Sequence, residues 1–139
     1  MKKLALLSIA VMAFVLIFAG CGGRSSSPDP DKIVPSRETL IANLTAAGYT
    51  IEELSSVDGS ELIIDRVLAK KDGKFLDIVY GLSPEDAAEV FGRFCEIYPD
   101  NYYVLARNGS YVYCVSDRSA FKKAGFTSTD NVGTQYIRG

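Results

Sequence analysis

Two cysteines, Cys95 and Cys114, are the first candidates for chemistry, because they stand on a predicted helix and a predicted strand that could pack together. A disulfide between them would close a loop of about 18 residues and stabilise the fold by roughly 3 kcal/mol. The alternative is a pair of free thiols that pack as small hydrophobic side chains. Both states stay open, with free thiols favoured. The spacing is not that of a Cys-x-x-Cys redox motif.

Two aspartates, Asp65 and Asp77, are the second candidates, because paired carboxylates can perform acid–base or glycosidase chemistry. Both stand inside predicted strands, where aspartate is uncommon. The predicted pairing puts Asp65 opposite Tyr80, whose hydroxyl could bond it, and Asp77 near Arg66 as a surface ion pair. The two carboxylates then lie on opposite faces of the sheet. We therefore do not expect them to act on one substrate.

The composition narrows the chemistry further, because the chain has no histidine and no tryptophan. Without histidine, Ser–His and Cys–His catalysis are excluded, and the commonest metal ligand is missing. We predict no catalytic residue, no metal site and no cofactor.

A cluster of tyrosines in the second half of the chain is a candidate binding surface. Tyrosine provides rigid, amphipathic contact area and is enriched at interfaces. Tyr102, Tyr111 and Tyr113 are predicted to share the sheet face opposite the core, where they could bind a peptide, a glycan or a partner protein. The alternative, which we favour, is ordinary cross-strand aromatic packing.

The N-terminus has the three parts of an export signal. Two lysines precede an apolar run over residues 4–18, and the small residues Ala19 and Gly20 lead directly into Cys21. With a cysteine at the cleavage point, the segment resembles the lipobox of bacterial lipoproteins. The resemblance covers residues 1–21 only, and the rest of the chain suggests no known family.

The resemblance implies that residues 1–20 are removed and that Cys21 is lipidated. The protein would then be extracytoplasmic and anchored to the cell membrane, its first partner. Two alternatives are an uncleaved transmembrane helix, for which about 15 apolar residues are short of the ~20 required, and a simple secretory signal that leaves Cys21 a free thiol. Residues 21–35 are rich in Gly, Ser, Pro and Asp, which predicts a lipidated cysteine followed by a flexible tether.

The remaining residues suffice for one small domain, which we place at 36–126, followed by a loose tail over 127–139. Without Lys2 and Lys3, 13 basic side chains face 17 acidic ones, for a net charge of −4. The two signs are interspersed, and no basic stripe is present. Nucleic acid is therefore not an expected partner.

Periodicity and turn signals predict the elements of this domain. Two pairs of strands flank the turn sequences Asp72-Gly73 and Asn108-Gly109, and in both pairs the two faces are apolar or aromatic. Helices are predicted to begin after Ser36, Ser83 and Asp117, each a good N-cap. The second of these helices is predicted to run to about Tyr98, with an apolar stripe that includes Phe91, Phe94 and Tyr98. The order α-βββ-α-ββ-α predicts an α+β fold with a mostly antiparallel five-stranded sheet and helices on one face. A short sixth edge strand over residues 135–137 is an option.

These patterns favour a non-catalytic binding or interaction module, held outside the cytoplasmic membrane by lipid on Cys21. A homodimer formed through the uncovered sheet face is one form of this hypothesis. An accessory or inhibitory factor for a cell-envelope enzyme is the first alternative. A hydrolase that uses carboxylates is the least favoured.

Overall fold

The computed structural model describes residues 29–100 and 102–127 in full, and residues 135–138 as backbone. Four helices and six strands lie in this part of the chain. In chain order they are α1 (Pro30–Ile33), α2 (Arg37–Ala46), β1 (Thr50–Leu54), β2 (Asp65–Lys71), β3 (Lys74–Tyr80), α3 (Pro84–Ile97), β4 (Val104–Asn108), β5 (Tyr111–Val115), α4 (Arg118–Ala124) and β6 (Gln135–Arg138). The predicted signal segment and Cys21 lie outside the described residues.

The three longer helices begin where their capping residues predict. The side chains of Ser36, Ser83 and Asp117 each accept a hydrogen bond from the backbone N–H three residues ahead. Each cap thereby satisfies one of the donors that a helix N-terminus leaves free. Helix α4 ends at Gly125, whose φ of 105° is a left-handed conformation that glycine adopts without strain.

All six strands form one antiparallel sheet in the order β1-β2-β3-β5-β4-β6. This confirms the predicted α+β fold class. Strand β6 extends the sheet at its edge, close to the optional short strand predicted over residues 135–137. The β2–β3 hairpin has the predicted register, with Val67 opposite Ile78. Asp72 and Gly73 take positive φ values of 50° and 81°, as a two-residue type I′ turn requires.

The β4–β5 hairpin turns one residue later than predicted. Asn108 is part of β4 and pairs with Tyr111, so the two turn residues are Gly109 and Ser110. Alternation within β4 and β5 is preserved in this register: Leu105 shares a face with Val112, and Val104 shares the other with Val115.

Both faces of the sheet are covered, by different helices. One face, here called the α2/α4 face, packs Val67, Ile78 and Val115 against α2 and α4. The opposite α3 face packs Val79 and Leu105 against the apolar stripe of α3. The prediction had placed all helices on one face. The difference follows from the apolar second face of both hairpins, which must be buried against something.

The folded region begins earlier than predicted. The tether was placed over residues 21–35, but Ile33 and Val34 are only 4% and 3% exposed and belong to the core of the α2/α4 face. By contrast Ile63 is 93% exposed, because it precedes β2, which starts at Asp65. Within the described residues, no helix combines the length and apolar character needed to cross a bilayer.

Candidate functional site: a lysine-rimmed groove beside a buried Arg–Asp–Tyr cluster

The centre of the α3 face holds a buried polar cluster of Arg66, Asp77 and Tyr98. The Asp77 side chain is fully buried, and it accepts two hydrogen bonds from Arg66, at 2.8 Å from Nε and 2.7 Å from Nη2. The Tyr98 hydroxyl donates a third bond to Asp77 Oδ2 at 2.6 Å. Arg66 Nη1 also donates to the carbonyl of Ser56 at 2.9 Å, and the guanidinium lies 5.8 Å from the centroid of the Phe94 ring.

This geometry meets the conditions under which a buried ion pair is tolerated. Removing two charges from water is costly unless the pair is well aligned and its remaining hydrogen-bonding groups are satisfied. Here Arg66 makes two hydrogen bonds to Asp77. Tyr98 donates a further bond to Asp77, and Arg66 donates a further bond to the Ser56 carbonyl. Burial and the nearby Asp77 carboxylate raise the pKa of the Tyr98 phenol well above its usual value. Tyr98 therefore stays protonated and acts as a donor.

The local sequence assembles the cluster from two elements. The β2–β3 register puts Leu68 directly opposite Asp77, which leaves Arg66 as its diagonal neighbour. Tyr98 is the C-cap residue of α3, so the helix end sets its position over the sheet. The predicted pairing of Asp77 with Arg66 is present, but the prediction that it lies at the surface is wrong. An aspartate between apolar neighbours on a covered face was the signal for burial.

A groove of about 470 Å³ lies on the same face, towards the Asp72-Gly73 turn. Helix α3 packs over β3, β5 and β4 and leaves the β1–β2 side of the face partly open. The Phe75 and Tyr98 rings form one wall, stacked with centroids 4.8 Å apart and planes inclined by 16°. Leu68, 8% exposed, contributes further apolar surface. The groove therefore has a largely apolar lining that includes one member of the buried cluster, Tyr98.

Three lysines border the groove, and they are held to different degrees. Lys71 Nζ donates to the Ala47 carbonyl at 2.6 Å and lies 5.8 Å from the centroid of the Tyr49 ring. Lys70 makes a longer contact, with its Nζ 3.6 Å from Glu52 Oε2, and its side chain is 59% exposed. Lys74 reaches Asp117 at 4.0 Å, with its side chain 50% exposed. Of the three lysines, only Lys70 shares the α3 face with Leu68, because Lys71 and Lys74 pair with each other on the opposite face of the hairpin. Lys70 can therefore turn towards a ligand at small cost, because such an exposed ion pair contributes little.

The structure does not bring the three predicted surface tyrosines together. Tyr113 is fully buried on the α2/α4 face, with its ring 4.9 Å from that of Phe126. Tyr111 is half-buried on the same face and donates a hydrogen bond to Asp31. Tyr102 packs against the cluster of the opposite face, because β4 starts only at Val104. Tyr98, which sequence reasoning placed in the helix stripe, is the tyrosine that lines a groove.

Both cysteines of the domain are free thiols that pack into the α3-face core. This corresponds to the favoured alternative, and the disulfide is not formed. Burial raises the pKa of each thiol, and for Cys114 the neighbouring Asp77 adds to the effect. A raised pKa keeps a thiol protonated and a poor nucleophile at neutral pH.

The second predicted carboxylate, Asp65, lies apart from this site. It is exposed and accepts a hydrogen bond from Arg37 Nε at 2.9 Å. The expected bond from Tyr80 is not made, since the Tyr80 hydroxyl donates to the Pro35 carbonyl at 3.3 Å. Asp65 and Asp77 do lie on opposite faces of the sheet, as their strand positions predict.

No protein family, no curated protein and no solved structure matches this chain. Among the described residues, no group of three or more Cys, Asp or Glu side chains is arranged to hold a metal ion. The site must therefore be interpreted from its own geometry.

Proposed function

We propose that the protein is a lipid-anchored, extracytoplasmic lipoprotein whose domain is a non-catalytic binding module with its ligand site in the lysine-rimmed groove. The observation that carries the binding role is the groove itself. It is large enough for a small ligand, is lined by the stacked Phe75 and Tyr98 rings, and has on its face one exposed lysine, Lys70, with only a weak ionic partner. Ligand pockets typically combine an apolar lining with a few well-placed polar groups.

A non-catalytic role is supported by how the carboxylates near the groove are used. Asp77 accepts three hydrogen bonds and is fully buried, so it is poorly placed to exchange a proton with a ligand. Asp65 lies on the other side of the sheet, and the chain has no histidine to act as a base. Among the residues that line the groove, Asp72 is the one carboxylate besides the partners of the cluster, so no two carboxylates converge there as acid–base chemistry on a ligand would require.

The anchoring role is supported by the lipobox resemblance and fits the position of the groove. The described chain starts at Asp29, and Pro30 lies against the Gly109 turn. Between Cys21 and Asp29 the chain can span at most about 27 Å, at roughly 3.4 Å per residue. The groove is at the opposite end of the sheet, beside the Asp72-Gly73 turn. An anchor on Cys21 therefore leaves the groove free to face away from the bilayer.

Lipidation is tested by expressing the full chain in a bacterial host and measuring its mass and its membrane fraction. We expect the mature chain to begin at Cys21, to carry acyl groups, and to sediment with membranes. The Cys21→Ala variant is the matched control, and we expect it to lose both the acyl mass and the cleavage before residue 21. An unmodified Cys21 in the wild-type protein would contradict the anchor.

The groove is tested separately, by calorimetric titration of the full chain with 2-naphthamide, a neutral flat molecule. We expect saturable binding that is weakened by Phe75→Ala and unchanged by Ile63→Ala, an apolar truncation at a side chain outside the groove. Equal affinity in the two variants would show that the groove is not the binding site. Circular dichroism spectra and melting curves identify any variant that does not fold.

A further inference from the structure

We propose that strand β1 and the groove beside it bind an extended peptide segment of a partner protein, which joins the sheet as a further strand. This inference rests on the proposed binding role of the groove and adds the chemical class of its ligand. In this mode of recognition, main-chain hydrogen bonds provide affinity and pockets for alternate side chains provide specificity. Three features carry it: a sheet edge with unpaired backbone groups, a groove that begins at that edge, and the charges on the edge strand.

Strand β1 forms one edge of the sheet, with β2 as its neighbour on the inner side. The hydrogen-bond directions follow from the Asp72-Gly73 turn, because the residues that flank a two-residue turn bond each other and the direction then alternates along the strand. Leu68 therefore bonds Glu52, and the N–H and C=O groups of Ile51 and Glu53 point outwards. Within the described residues, no other backbone group bonds to them. Such an edge is a template for another extended chain.

The groove begins at this edge. Thr50, the first residue of β1, lines it together with Leu68, Phe75 and Tyr98. The register places Thr50 and Phe75 on the same face, because both lie opposite Lys70. A residue that stands opposite Thr50 in an added strand therefore directs its side chain to the border of the groove. The volume of about 470 Å³ and the stacked aromatic wall suit an apolar or aromatic side chain.

The charges beside β1 favour a basic residue in the added strand. Arg37 is shared by two acids, since it donates a hydrogen bond to Glu53 and another, at 2.9 Å, to Asp65. These three side chains together carry one net negative charge, and the Glu53 side chain is 59% exposed. A lysine or arginine opposite Glu53 would lie on the same face and complement that charge. An exposed pair of this kind contributes modestly, so it serves specificity more than affinity.

A second copy of the chain is a poor occupant of the edge. The antiparallel register that uses the outward groups of Ile51 and Glu53 in both copies puts the two Glu52 side chains directly opposite each other. Like charges in that position destabilise a pair of strands. The acids of β1 therefore act against self-pairing and remain compatible with a neutral or basic strand.

The probe is the capped peptide acetyl-Val-Lys-Thr-Thr-Phe-amide, in which antiparallel pairing puts the lysine opposite Glu53 and the phenylalanine opposite Thr50. It is titrated calorimetrically into the full chain, in a nonionic detergent matched between cell and syringe. We expect saturable binding with which 2-naphthamide competes, because the naphthyl and phenyl rings use the same groove. An analogue with N-methyl groups on the lysine and the second threonine keeps every side chain but lacks the donors that face Ile51 and Glu53. We expect it to bind about tenfold more weakly.

The Glu53→Pro variant tests the edge from the side of the protein. Proline removes an N–H that points outwards, so no bond of the sheet is lost, and edge strands tolerate proline at such positions. The matched control is Glu53→Ala, which removes the same carboxylate and keeps the N–H. We expect Glu53→Pro to bind the peptide about threefold more weakly than Glu53→Ala does, while both bind 2-naphthamide as the wild type does. Circular dichroism identifies a variant that does not fold, and the N-methylated peptide tests the same hydrogen bonds in the wild type.

The charge preference is tested with a peptide that has glutamate in place of lysine. We expect it to bind the wild type about threefold more weakly than the lysine peptide, and this difference to disappear in Glu53→Ala. Equal affinity of the two peptides for the wild type would overturn the preference for a basic partner.

The remaining outcomes separate the peptide from the binding role of the groove. Equal affinity of the peptide and its N-methylated analogue, or of the two Glu53 variants for the peptide, would overturn strand addition and leave the groove as a site for 2-naphthamide. Binding of neither the peptide nor 2-naphthamide would overturn both proposals. A dimer in sedimentation that Glu53→Pro dissociates would assign the edge to a second copy and overturn the peptide partner.

Discussion

The two faces of the sheet are closed to different degrees and by different kinds of side chain. The α2/α4 face is closed by two helices over a continuous apolar core that includes Leu40, Leu44 and Phe121. The α3 face has a single helix over it, carries the buried Arg66–Asp77 ion pair, and remains partly open as the lysine-rimmed groove. The first face is packed mainly by apolar side chains, with Asn108 as a fully buried polar residue, whereas the second contains the groove for which we propose a binding role.

The two faces differ most at Asp77, the buried carboxylate of the α3 face. Among the substitutions considered, Asp77→Ala should lower the free energy of unfolding the most. Removing the carboxylate leaves the Arg66 guanidinium buried without its main partner and the Tyr98 hydroxyl without its acceptor. We expect a loss of about 4 kcal/mol in the free energy of unfolding. Urea denaturation monitored by circular dichroism measures it.

The matched control is Asp65→Ala, which removes an aspartate from the other strand of the same hairpin, on the opposite face of the sheet. Asp65 pairs with Arg37 in solvent, with its side chain 50% exposed, so we expect a loss of no more than about 1 kcal/mol. If the two variants were equally stable, Asp77 would not be the buried partner that the structure shows.

The comparison of faces also marks what sequence patterns can and cannot predict. Alternation and turn chemistry are local, and they correctly predicted the β2–β3 register, in which Asp65 lies opposite Tyr80. Periodicity also predicted that α3 has an apolar stripe. It could not predict which face of the sheet the stripe covers, because that depends on how the chain crosses the sheet between β3 and β4.

The candidate site was harder to predict, since it depends on contacts between residues far apart in the chain. Tyr98 and Asp77 are 21 residues apart, and neither the strand nor the helix pattern indicates that they meet. Lys70 was interpreted as a solvated edge charge, which describes its exposure but not the groove beside it. The usable signal was the unusually apolar second face of β2–β3, bordered by lysines.

A second prediction compares the same apolar truncation on the two faces. Leu44 is fully buried in the closed core, so Leu44→Ala should leave a cavity and cost about 3 kcal/mol. Leu68 lines the open groove, so Leu68→Ala should enlarge a space that water already reaches and cost about 1.5 kcal/mol. Urea unfolding of both variants gives the two values. Equal losses of unfolding free energy in Leu44→Ala and Leu68→Ala would indicate that the groove is closed in solution.

The smallest expected effect is a pH dependence that distinguishes one phenol on each face. Burial, then the hydrogen bond to Asp31, raises the pKa of Tyr111 from 10.0 to about 12, and burial with Asp77 raises the pKa of Tyr98 further. A tyrosine whose pKa is raised in the folded state binds its proton more tightly there than in the unfolded chain. Its contribution to stability is therefore complete below pH 10 and is lost as the pH rises above 10.

We expect the free energy of unfolding to fall between pH 10 and 12, and Tyr111→Phe and Tyr98→Phe each to make that fall shallower. The Tyr111 contribution should be exhausted near pH 12, where the folded protein also releases its proton. The loss of stability that is linked to Tyr98 should continue above that pH, because the bond to the buried Asp77 carboxylate keeps this phenol protonated in the folded protein. Urea unfolding at half-unit pH steps measures both slopes, and an unaltered slope in Tyr98→Phe would mean that this phenol is not shielded by the cluster.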